Sequence, residues 1–154
     1  MVDARDHVLR TFFSFFSFMA TIREKSAELI SLKRKDTNQE YMWNADEAYW
    51  KRNAPVLFPF VGSLKNKEFL YDGQAYPMGQ HGFARDMEFS FVSNNGTEAW
   101  FSLSSDDTTY EKYPFVFTLE IGYILSGNTL KVIWKVVNED DKEMYFSIGG
   151  LCVL

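Results

Sequence analysis

Six consecutive residues near the middle of the chain, His81-Gly82-Phe83-Ala84-Arg85-Asp86, carry the side chains best suited to chemistry. An imidazole and a guanidinium converging on one cleft can bind vicinal sugar hydroxyls. Arginine offers several fixed donors, and a neutral histidine offers one donor and one acceptor. Gly82 between them lets backbone or ligand approach closely. A lone histidine is ordinarily a solvated or core-satisfied group, and that reading stands beside the functional one. The only other histidine is His7, too few for a mononuclear zinc centre of histidine ligands. There is no Gly-rich phosphate loop, serine nucleophile elbow or helix-borne histidine pair. Glu28, Glu68, Glu88 and Glu120 are possible bases, but each falls in a strand pattern where an outward, solvated carboxylate is the default.

The elements that must position these residues read as strands. Aromatic residues make up 18% of the 154 positions, and such side chains suit half-buried pleated surfaces. Glu28 to Lys33 predicts a strand, with a turn at Asp36-Thr37-Asn38 and a short second strand over Glu40 to Trp43. Asn44 to Asn53 reads as a loop with a helical turn. Glu68 to Tyr71, Asp72-Gly73, then Gln74 to Tyr76 spells a hairpin, because Asp-Gly supplies the positive φ angles of a type I′ turn. Met87, Phe89 and Phe91 alternate with Glu88 and Ser90. Beyond the Asn94-Asn95-Gly96 turn lies a strand at Ala99 to Leu103. A long alternation follows over Phe115 to Leu125, and Leu130, Val132, Trp134 and Val136 return from Ser126-Gly127-Asn128. A last strand is expected over Met144 to Ile148. This spacing indicates a single all-β domain over residues 1–154, an antiparallel sandwich or barrel.

Composition excludes several classes of function. Apolar residues at 46% and charged residues at 24% describe a globular chain. The formal net charge of −5 and the absence of a basic stripe argue against nucleic-acid binding. Cys152 is the single cysteine, which rules out an intramolecular disulfide and fits a reducing, cytoplasmic compartment. The apolar run Thr11 to Ala20 lies behind Arg5 and Arg10. It is too short to cross a bilayer, which takes about 20 residues. Asp3, Asp6 and the lack of a small-x-small cleavage site count against a secretory signal, and a strand or an aberrant N-terminus is the preferred reading.

Several phrases, in order, resemble the aldose 1-epimerase (galactose mutarotase-like) family over about residues 19–150. They are Lys33 to Trp43, Tyr49-Trp50-Lys51-Arg52, Ala54-Pro55-Val56-Leu57-Phe58-Pro59, Gln80 to Asp86, and Phe146-Ser147-Ile148-Gly149-Gly150. The resemblance implies a β-sandwich of the galactose mutarotase-like supersandwich type. It implies interconversion of the α- and β-anomers of an aldose, without metal or organic cofactor. In the family the histidine of His-Gly-Phe-Ala-Arg holds the sugar near its ring oxygen, a role that falls on His81. Arg85 is then a neighbouring cleft residue and Arg52 a further candidate.

The reaction protonates the ring oxygen and deprotonates the anomeric hydroxyl, so it needs an acid and a base on opposite faces of the sugar. In the family the acid is a histidine directly after Ser-Ile-Gly-Gly, where this chain has Leu151. The base is a glutamate of the C-terminal half. Two further departures are Ser63, where relatives often carry arginine, and Ser26, where a glycine is common. Residues 1–18 and 151–154 match nothing in the family pattern. The expectation is a truncated sandwich with part of the sugar cleft, no complete catalytic pair, weak aldose binding and self-association through open strand edges. A non-catalytic carbohydrate-binding module and a gene fragment without activity are the alternatives.

Overall fold

The computed structural model describes residues 10–15 and 17–152, and its strands pair antiparallel. Arg10–Phe15 (β1), Phe18–Arg23 (β2) and Glu28–Arg34 (β3) form one sheet. Val56–Leu57 (β4) follows a long loop, and Glu68–Tyr71 (β5) with Gln74–Pro77 (β6) makes a hairpin. Ser90–Asn94 (β7), Glu98–Ser104 (β8), Phe117–Ser126 (β9) and Thr129–Asn138 (β10) form a four-stranded sheet in the order β10-β9-β8-β7. Gly149–Gly150 (β11) returns to pair with β4. The one α-helix among the described residues, Asp107–Tyr110 (α1), is a single turn capped by the Asp106 carboxylate, which accepts from Thr109 N at 2.8 Å. Its length rules out a membrane span.

The architecture is the expected all-β sandwich. Ala99, Phe101 and Leu103 of β8, with Leu119, Ile121 and Tyr123 of β9, alternate inward because successive side chains of a strand point to opposite faces. They meet Phe13, Ala20, Ile22 and Leu29 of the first sheet in one core. The apolar run near the N-terminus supplies β1 and β2, its Phe13 buried and Phe12 exposed. The Asp72-Gly73 turn has both φ angles positive, 47° and 74°, as a type I′ turn requires.

Three expectations are corrected. The strand over Glu40 to Trp43 is a single bridge from Glu40 to Lys33. Tyr41 N still donates to Leu32 O at 3.0 Å, but the Glu40 carboxylate accepts from the amides of Tyr41 and Met42 at 3.1 Å each and from Leu32 of β3 at 2.8 Å, and the ladder goes no further. Met144 to Ile148 is extended but unladdered. Its groups bond singly instead, Tyr145 O accepting from the Tyr113 hydroxyl and Ser147 N donating to Pro59 O, both at 2.8 Å. The alternation of Met87, Phe89 and Phe91 stops at a register shift between Phe91 and Ser93, so Phe89 is buried while Phe91 is 48% exposed.

Candidate functional site

The phrases singled out in the sequence come together at one place. Gly150 pairs with Val56 and Gly149 with Leu57, which lays the Ser-Ile-Gly-Gly phrase along the Pro-Val-Leu-Phe-Pro phrase. Val61 N donates to the Ser147 hydroxyl at 2.9 Å, extending this seam past β11. The 80–86 segment joins from the other side. Phe58 O accepts from Phe83 N at 3.0 Å and Ala84 N at 3.1 Å. Gly82 is required here, since its φ is +71° and an added Cβ would overlap the Phe58 carbonyl. Beneath this junction lies an aromatic cluster. Phe58 packs against Phe117 with ring centroids 5.1 Å apart, and Tyr113 against Phe115 at 4.7 Å. Such pairs contribute roughly 0.5–1.5 kcal/mol beyond their buried area. Most of the aromatic excess is therefore core rather than sugar-stacking surface. Burial raises the pKa of the Tyr113 phenol.

His81 is held by Gly62 on two sides. His81 N donates to Gly62 O at 2.7 Å, and Gly62 N donates to His81 Nδ1 at 2.9 Å. An Nδ1 that accepts a hydrogen bond leaves the proton of the neutral ring on Nε2. The ring is half-buried, with φ at +67°, a region histidine enters more readily than most residues. Nε2–H is thus the ring's remaining donor, suited to an oxygen acceptor.

The two arginines are brought together, but apart from the imidazole. Arg52 Nη1 donates to Arg85 O at 2.9 Å and Arg52 Nη2 pairs with Asp86, so Arg52 clamps the 3₁₀ turn Ala84–Asp86. Arg85 Nη2 donates back to Gln80 O at 2.8 Å. Both arginines line a cleft of about 290 Å³ with Arg23, Lys25, Lys51 and Asp86. His81 is not among its lining residues. Leu151, at the position of the family acid, is 45% exposed and borders a separate apolar cleft beside Val132 and Trp134.

Of the four glutamates, Glu68 and Glu88 are exposed as expected, and Glu120 pairs with Lys135 at 2.5 Å. Glu28 is the correction, because it is fully buried. Its Oε1 accepts from Asn53 N at 2.7 Å and Ala54 N at 2.9 Å, and its Oε2 pairs with Arg23. It anchors the loop leading into β4 and has no free lone pair aimed at a ligand. Reading along the chain missed Arg23, Lys25 and Lys51 as neighbours of Arg85. Their signal was basic pairs at two separate turns, and only the fold makes them adjacent.

An antiparallel sandwich with this junction of three phrases is the mutarotase class of β-fold. Residues 16–150 match the family described as Aldose 1-epimerase, and the chain belongs to that family. It is 36% identical over 129 residues to Protein LacX (plasmid) of Lactococcus lactis subsp. lactis, covering 80% of this chain and 43% of the relative. Among solved structures, a galactose mutarotase related enzyme from Lactobacillus acidophilus superposes with a TM-score of 0.90 at 38% identity, covering 92% of this chain and 47% of that one. A galactose mutarotase-like protein from Lactobacillus casei gives 0.89 at 37% identity, covering 92% and 48%. The chain spans about half the length of the relatives it matches.

Proposed function

We propose that this chain carries one wall of an aldose-binding cleft and, by itself, binds sugar without interconverting its anomers. The carrying observation is the hydrogen bond from Gly62 N to His81 Nδ1 at 2.9 Å, which leaves Nε2–H as the ring's one donor. Family membership supports the ring oxygen or a neighbouring hydroxyl of an aldose as its acceptor. Anomer interconversion further needs a proton donor and a proton acceptor flanking the sugar. Leu151 has no exchangeable proton, and Glu28 is committed to backbone amides and Arg23. The half-open wall supports weak affinity, about millimolar, because few groups remain to offset the cost of ordering a ligand. The single Cys152 supports a reducing, cytoplasmic location.

Two measurements test this reading. In polarimetry, purified chain leaves the rate of α-to-β conversion of glucose and galactose at the buffer value. An increase proportional to protein and lost in His81→Ala would overturn the non-catalytic assignment. In an NMR titration with galactose, the His81 imidazole shifts ahead of groups on other faces. Shifts confined to another face would remove the case for this cleft.

A further inference from the structure

Residues 59–62 carry the amide that selects the His81 tautomer, and their hydrogen bonds divide between two partners. Both backbone groups of Gly62 go to His81, at 2.7 and 2.9 Å. The other two bonds go to Ser147. Its N–H donates to Pro59 O at 2.8 Å, and its hydroxyl accepts from Val61 N at 2.9 Å. Phe60 packs on Phe69 and Tyr113, with ring centroids 5.0 and 5.9 Å apart. Beyond Phe60 the loop is open: Val61 is exposed, and a Cβ on Gly62 would meet nothing within 4 Å. Apart from His81, Ser147 is the one residue among those described whose side chain bonds this backbone.

Ser147 sits on a segment with no strand ladder, fastened at both ends. Downstream, Gly149–Gly150 pairs with β4. Val61 lies against Gly149, its Cγ2 3.2 Å from the place a Cβ would take. Upstream, Lys142 Nζ stands among three rings, 5.1 Å from the centroid of Phe115, 5.6 Å from Tyr110 and 5.7 Å from Tyr71. Asp140 pairs with it at 3.6 Å and accepts from Val116 N at 3.1 Å. Aromatic cages of this kind hold ammonium groups in place. Between the two ends, Tyr145 O accepts from the Tyr113 hydroxyl at 2.8 Å.

We propose that residues 142–149 form a strap that holds His81 in one tautomer. Ser147 is the positioning residue, acting through Val61 and Gly62, and Lys142 fastens the far end of the strap. A neutral imidazole can carry its proton on either nitrogen, and the hydrogen bond made at one sets the other. Steadying the peptide between Val61 and Gly62 therefore keeps Gly62 N on Nδ1 and the proton on Nε2. The use of that tautomer in ligand binding rests on the aldose reading of His81; the positioning itself does not.

The test uses the full, ligand-free chain and reads the histidine ring nitrogens by NMR at about pH 9, where free imidazole is neutral. His7→Gln assigns the second ring. Ser147→Ala removes the acceptor from an exposed position, and Ser147→Thr keeps it. The Ala variant should raise the Nδ1–H form of His81 and quicken exchange of the Gly62 amide, each about tenfold. The Thr variant should return both to the parent values. Lys142→Met should move the same two readings about threefold, and Lys142→Arg should restore them. The double variant Ser147→Ala/Lys142→Met should go no further than Ser147→Ala alone, as two residues acting through one strap require. A folded Ser147→Ala that melts lower but leaves the His81 ring unmoved would overturn the strap. Additive effects in the double variant would overturn the part given to Lys142. Galactose should bind Ser147→Ala about tenfold more weakly than the parent or Ser147→Thr. If the ring moves as expected while galactose binds none of the three, the aldose reading falls and the strap stands.

Discussion

The hydroxyl of Tyr123, midway along β9, donates to the carbonyl oxygen of Ala27 at 2.6 Å and ties the four-stranded sheet to the turn between β2 and β3. The residue is buried, and its phenol titrates well above the ordinary value of 10.0, first because of burial and then because of Glu28. Tyr113 is shifted the same way by burial.

Alkaline pH should therefore unfold the protein. A phenol whose pKa is raised in the folded state stabilises the fold fully below the unfolded value near 10 and loses that contribution as pH climbs through the folded value. Circular dichroism against pH should show stability flat to about pH 10 and falling beyond it. Tyr123→Phe, though less stable at neutral pH by about 1 kcal/mol for the lost hydrogen bond, should show a shallower alkaline decline. An equal decline in the variant would remove Tyr123 from the explanation.

Ser26→Gly should stabilise the chain. Ser26 and Ala27 have φ of 60° and 45°, left-handed values that cost a side-chain-bearing residue roughly 1–2 kcal/mol. The Ser26 hydroxyl gives little back, since its contact with Glu28 is 3.5 Å. After the larger entropy of glycine in the unfolded chain, the gain is about 0.5–1 kcal/mol, or a melting temperature higher by about 1–4 °C. Denaturant melts of the two proteins would show it.

Glu28→Ala should be among the most damaging single changes. It leaves the amides of Asn53 and Ala54 and the Arg23 guanidinium without their acceptor. Removing one partner of a buried ion pair costs about 3–5 kcal/mol. Arg23 is 27% exposed, so water can recover part of that and the lower end applies. A urea midpoint close to that of the parent chain would show that Glu28 does not anchor the loop before β4.

How much of this was legible in the sequence depends on the range of the interactions. The strands β3, β5, β6, β8, β9 and β10 were readable because alternation and turn residues such as Asp72-Gly73 are local signals. Glu28 was misread because its identity argues for water, while its partners at Asn53 and Ala54 lie 25 and 26 positions away. The Glu40 carboxylate, taking the Met42 amide, accompanies a ladder cut to one bridge where the pattern favoured a strand. His81 was legible as a candidate, but its tautomer was not, since that is set by the amide of Gly62, 19 residues earlier. The basic cleft was invisible for the same reason: no stretch of sequence holds more than two of its cations together.

Gly82→Ala should dismantle the site while sparing the distant sheet edges. The new Cβ collides with the Phe58 carbonyl and sits at φ +71°, and together these should cost about 3 kcal/mol or more. The His81 ring signal should broaden or move while amide shifts in β7 stay near their parent values. Parent-like His81 signals in the variant would mean that the close approach at Phe58 does not position the imidazole.

Val132→Lys should reduce self-association. β10 is an edge of its sheet, with Val132 and Trp134 each 41% exposed. An open edge with apolar side chains invites pairing with another strand, and lysine discourages it. Sedimentation should show dimers or larger species for the parent chain and a shift toward monomer in the variant. A monomeric parent would end this expectation.

The pairing of Val56 with Gly150 also fixes an order of events. A contact between positions so far apart in sequence forms only after the chain between them has been made and the loop closed, which slows non-local contacts relative to local hairpins. During synthesis the β1-β2-β3 meander and the β5–β6 hairpin can settle early. The seam that frames His81 must wait for residue 150 to leave the ribosome. A nascent chain stalled short of that point would hold most of its sheets and the His81–Gly62 contacts, but not the seam that lays Gly149–Gly150 along β4.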